Sequence, residues 1–128
     1  MDEKVKYWLD LSDYDFDTAN AMQHSGRYLY VGFMCHQTIE KILKAYFNLN
    51  NSEPAPFTHS LSYIAKKAGI YDSFTDDFKD FIDMLEPLNI ESRYPSHKEK
   101  LMKGLTKERC EDILKNTKIL QSWIKAKL

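Results

Sequence analysis

With 128 residues, 43% of them hydrophobic and 29% charged, and only 4 Gly and 4 Pro, the chain can bury a core without disulfide or metal staples. That excludes a collagen-like, disordered or disulfide-framework protein and predicts one domain over residues 1–128. The net charge of −1 hides an asymmetry: residues 1–92 carry 8 Lys and Arg against 15 Asp and Glu, whereas residues 93–128 carry 10 against 4.

The first predicted element opens in MDEKVKYWLD, which is too charged for a signal peptide. Val5, Trp8, Leu9, Ser12, Phe16 and Ala19 recur at spacings of three and four, one face of a helix, with Asp10, Asp13 and Asp17 on the other side. Gly26 is placed to stop it. The second helix, from about Arg27 to Leu49, is the most apolar. Tyr28, Val31, Cys35, Ile39, Ile42 and Tyr46 form one stripe, and Phe33 and Phe47 lie on another, the pattern of a central helix. NNSEPAPFTHS then reads as a loop. Thr58, or the residue before it, is expected to start a short helix carrying Leu61, Ile64, Ala65 and Ala68, with Gly69 as its stop.

Thr75, followed by Asp76 and Asp77, predicts the N-cap of the next helix, with Phe78, Phe81, Ile82 and Leu85 as its apolar face and Pro87 as a kink or end. After ESRYP, the run Ser96 to Glu99 fits a capping box opening a short helix. The last helix is predicted to open at Thr106, with Cys110, Ile113, Leu114, Thr117, Leu120 and Ile124 on one side. No stretch alternates with a period of two long enough for a strand, and none is apolar enough to span a bilayer. The fold class expected is therefore all-α: an antiparallel up-and-down bundle of about four long helices plus one or two short ones. A cytoplasmic location and no membrane partner are expected. Both cysteines, Cys35 and Cys110, fall on apolar stripes and read as buried free thiols.

Two constellations can carry chemistry. In RYPSHKEK, Arg93 is a permanent cation suited to a phosphate, and His97 falls in the first turn of a helix, where the positive end of the dipole favours neutral imidazole and general-base behaviour. Tyr94, Lys98, Lys100 and Lys103 complete a basic binding region. The second constellation lies on the central helix. His36, Glu40 and Lys44 are spaced by four and share one side, with Gln37 and Lys41 beside them. A His and a carboxylate at that spacing can share a metal, but no HExxH-like motif supplies a third ligand, so the expectation is a buried polar seam in which Glu40 pairs with a lysine or with a neighbouring histidine, His59. No metal or other cofactor is expected. His24 reads as a helix-terminal residue favourable to the dipole. Phosphate loops, dinucleotide fingerprints, nucleophile elbows and CxxC pairs are missing from the sequence.

Taken in order, Tyr7-Trp8, HQTIEKILKAYF, FTHSL and ESRYP resemble the HEPN domain family over nearly the whole chain. The most specific pieces are Gln37-x-x-Glu40-Lys41-x-x-Lys44, Thr58-His59-x-Leu61 and Arg93-Tyr94-Pro95. The resemblance implies an up-and-down helical bundle that pairs as a homodimer, often beside a small nucleotidyltransferase. Many such proteins are metal-independent ribonucleases, frequently toxins of toxin-antitoxin pairs, which act through an arginine and a histidine, with four to six residues between them, in a site formed across the dimer. Others are non-catalytic modules that bind nucleotides or other polyanions, or dimerising scaffolds. Here Arg93 matches the arginine, His97 follows after three intervening residues, and Tyr94 replaces the polar residue often found after the arginine. The implied ligand is RNA or a nucleotide.

Overall fold

A computed structural model describes residues 1–90 and 94–128 of the chain. The described residues form six α-helices and no strand: α1 (Glu3–His24), α2 (Tyr28–Asn50), α3 (Leu61–Ala68), α4 (Asp76–Leu85), α5 (Pro95–Gly104) and α6 (Lys107–Lys125). The all-α expectation is borne out. Three helices are long, of 22, 23 and 19 residues, and α3, α4 and α5 have 8, 10 and 10.

α1 and α2 form the main antiparallel hairpin. Gly26, at φ +74°, makes the left-handed step that reverses the chain between them. α6 lies along both. Its first turn meets the end of α1, where the Gln23 side-chain amide donates to the Lys107 carbonyl (3.1 Å), and its last turns meet Asp13, which accepts from Gln121 (3.1 Å) and Lys125 (2.7 Å). It therefore runs antiparallel to α1. The apolar stripes close on one core. Val31, Cys35, Ile39 and Ile42 of α2 are fully buried, as are Leu120 and Ile124 of α6, and Ile64 of α3 and Ile82 of α4 cover the remaining side. Burying each such aliphatic side chain is worth about 1.5–3 kcal/mol, and α2, which contributes more buried hydrophobic residues than any other helix, organises the molecule. Phe74, Phe78 and Trp123 add an edge-to-face cluster between α4 and the end of α6.

Gly32 admits two leucines to the surface of α2. A Cβ there would stand 3.1 Å from Leu88 Cδ1 and 3.4 Å from Leu105 Cδ1, so the missing side chain is what lets both residues rest on the helix. Leu88 ends a 3-10 turn (Glu86–Leu88) and Leu105 follows α5. α5 itself contributes no buried residue.

Several boundaries match the sequence reading. Thr75 caps α4 by accepting from the Phe78 amide (3.2 Å), Thr106 caps α6 through the Arg109 amide (3.1 Å), and Gly69 ends α3 at φ +79°. Pro87 falls just past α4, in the 3-10 turn. Two starts are corrected. α3 begins at Leu61 with Ser60 as its cap, whose hydroxyl accepts from the Tyr63 amide (3.3 Å), while Thr58 precedes it in the loop and accepts from the Ser60 amide (3.2 Å). The capping box at Ser96–Glu99 does not form. Tyr94 is the N-cap and Pro95 the first helical residue, because proline has no amide to satisfy and a φ already suited to the first turn.

Candidate functional site

The helical spacing of His36, Glu40 and Lys44 brings all three beneath the surface on the side of α2 that faces the loop after it and α3. Glu40, only 3% exposed, is the hub. One carboxylate oxygen, Oε2, accepts from Lys44 Nζ (3.1 Å), and the other, Oε1, accepts from His59 Nδ1 (2.8 Å). A buried carboxylate requires such partners. The polar seam expected on this helix is thus present, with His59 as the neighbouring histidine. His36 lies deeper. Its Nδ1 accepts from the Gln37 side-chain amide (3.2 Å) and is 3.9 Å from Glu40 Oε1, and its Nε2 is 3.9 Å from Glu86 Oε1.

Lys41 departs from this group. One residue past Glu40, it is turned by about 100° around the helix and pairs with the buried Asp15 of α1, with a longer bond to the Gln37 side-chain oxygen (3.3 Å). Its hydrogen bond to Gln37, which in turn donates to His36, ties it to the seam.

Glu86, which the sequence reading passed over, continues the seam. Its Oε1 accepts from the Leu61 amide (2.6 Å) and its Oε2 from the Ser60 hydroxyl (3.4 Å), so the carboxylate satisfies the first turn of α3 and ties the 3-10 turn to it. The signal was available: Glu86 lies four residues beyond Ile82, in step with the apolar face of α4 one position past its end, an acid where a core residue is due. The next residue, Pro87, offers its carbonyl to His97 Nε2 (3.3 Å). Nε2 is therefore the donor, and a neutral ring carries its lone pair on Nδ1. His97 is half-buried in the first turn of α5, and Lys98 beside it is also half-buried, whereas Tyr94, Lys100 and Lys103 are exposed. Arg93 lies outside the described residues. His59, Glu40, His36 and Glu86 thus lie in succession, with 3.9 Å separations on either side of His36, and the seam ends one residue before the Pro87 carbonyl that meets His97.

Two clefts open beside Phe57. One, of about 190 Å³, is lined by Lys44, Phe57, Thr58 and His59. The other, of about 430 Å³, is walled chiefly by Tyr7, Trp8, Pro54, Ala55 and Phe57. Trp8 was expected in the core, but it is only partly buried, and its indole carries the Lys44 ammonium 5.1 Å from the ring centroid. Among the described residues no group of three or more His, Cys, Asp or Glu is arranged to hold a metal ion.

The model of the HEPN domain matches residues 5–127. The chain belongs to the HEPN family. Its fold is similar to that of TT1696 from Thermus thermophilus, a crystal structure that aligns with a TM-score of 0.84 at 17% identity, over 99% of this chain and 100% of that one. At that identity the likeness speaks for the HEPN bundle alone. A search of curated proteins finds no match.

Proposed function

We propose that this HEPN protein acts in the cytoplasm as a homodimer beside a small nucleotidyltransferase partner, binds RNA or a nucleotide, and cleaves RNA without a metal in the manner of a toxin. Arg93 stabilises the charge that builds on phosphorus, and His97 takes the proton of the attacking ribose hydroxyl. Tyr94, Lys98, Lys100 and Lys103 hold the backbone through charge and contact. The observation that carries this reading is the fixed ring of His97. With Nε2 held on the Pro87 carbonyl and the seam behind that turn, Nδ1 is left to accept a proton.

The test is incubation of the purified protein with labelled RNA in a metal chelator. Wild type is expected to cut, and Arg93→Ala to lose both cutting and most binding. His97→Ala is expected to bind nearly as wild type and not cut. Cleavage by His97→Ala at the wild-type rate overturns the catalytic assignment. Binding without cleavage by wild type favours the second reading, a non-catalytic nucleotide-binding module or dimerising scaffold, for which the exposure of Lys100 and Lys103 already suffices.

A further inference from the structure

Phe57 is fully exposed, although burying a phenylalanine is favourable. It also stands on the boundary of the two clefts and lines both. The larger cleft presents flat aromatic surface that is already braced. Tyr7 meets Trp8 edge-on, with centroids 5.0 Å apart and planes at 77°, and Lys44 holds the indole from one face. Braced rings offer stacking area with little rotamer entropy left to lose.

The smaller cleft differs in kind. Glu40 holds His59 by Nδ1, so in the neutral ring Nε2 is an acceptor on the half-exposed side, near Thr58. Lys4 and Lys44 line the two clefts, against Glu3 as the one carboxylate among the lining residues.

We infer that the Tyr7–Trp8–Phe57 groove, with His59 at its end, seats one unpaired nucleobase, the base stacking on the aromatic wall and the sugar hydroxyl donating to His59 Nε2. An apolar protein segment would satisfy the larger cleft and leave the His59 Nε2 acceptor without a donor, since Lys44 is already paired with Glu40 and Lys4 already donates to the Ser52 carbonyl. A nucleoside matches the aromatic wall with its base and the acceptor with its sugar hydroxyl. The site also continues from Glu40 into the seam that ends beside Pro87. This inference rests on the RNA or nucleotide reading above and adds a place for the base.

Fluorescence anisotropy with labelled single-stranded RNA tests it, with AMP and ribose 5-phosphate as competitors. Phe57→Ala removes a side chain that packs against solvent, so its fold is preserved. It is expected to weaken RNA binding by about tenfold or more, with His59→Gln weakened in the same direction. AMP should compete and ribose 5-phosphate, which has no base, should not. Competition by AMP without competition by ribose 5-phosphate supports the site, and failure of AMP to compete overturns it. Equal affinity of Phe57→Ala and wild type overturns it, as does equal competition by ribose 5-phosphate. Loss of self-association in Phe57→Ala with RNA affinity unchanged gives the groove to a second copy of the chain and also overturns it. A protein weakened by Phe57→Ala but not by Arg93→Ala keeps the base seat and refutes the role of Arg93. If wild type binds neither RNA nor AMP at low salt, both readings fall.

Discussion

Glu40 shows what a single buried side chain has to do. Its carboxylate is out of water, and it is stabilised by the Lys44 ammonium and the His59 imidazole. Lys44 is itself buried and has Glu40 as its counter-charge. Glu40→Ala should therefore cost about 3 kcal/mol of unfolding free energy, since it strands a buried ammonium, measured by urea denaturation. Glu40→Gln, which keeps an oxygen for one of the two donors, should cost less. Added zinc should leave the melting temperature of wild type unchanged; stoichiometric stabilisation by zinc that disappears in His36→Ala would make the seam a metal site instead. Much of this was readable beforehand, because residues four apart on a helix share a side and His59 follows the helix closely enough to return to it. Glu86 was not. Its partners, the amide of Leu61 and the hydroxyl of Ser60, are 25 and 26 residues away, and no local periodicity reports a helix start on another element.

At the scale of elements, the seam between α2 and α6 carries the two thiols. Burial raises the Cys35 thiol to about 12, with the Thr117 hydroxyl pulling the other way and Cys110 adding slightly, and burial raises Cys110 to about 11. In the unfolded chain both ionise near the ordinary value of 9.0. Below that pH neither state loses a proton and the contribution to stability is intact. As pH rises from 9 towards the folded values, the unfolded state alone gives up protons and stability falls, with a limiting slope of about 1.4 kcal/mol per pH unit for each thiol. The urea midpoint of wild type should thus drop more steeply between pH 9 and 11 than that of Cys35→Ala, and equal slopes would show that the thiol does not feel its burial. Helix extents were legible wherever a cap stood alone, as at Thr75, Gly69 and Thr106. They were misread where several candidates crowded together. Thr58 and Ser60 can both cap, and the hydroxyl with a free turn ahead of it won. At Pro95 the fixed φ of proline started the helix before the serine could.

Over the whole molecule, the acidic first part and the basic last part give one chain two complementary surfaces. α5 and α6 carry much of the basic charge, and α1 and α4 much of the acidic charge. A homodimer is therefore expected by light scattering at micromolar concentration, weakening as salt rises. A monomeric mass that persists at low salt would refute it. One further consequence follows from Gly32. Because Leu88 and Leu105 both settle on that single glycine, the chain departs from α2 and rejoins it at almost the same point, and residues 94–104 add only the partly buried Leu101 to the core in between. Such an excursion is anchored at its base like a handle. Lengthening or shortening it costs free energy only as the logarithm of its length, and the bundle is not disturbed.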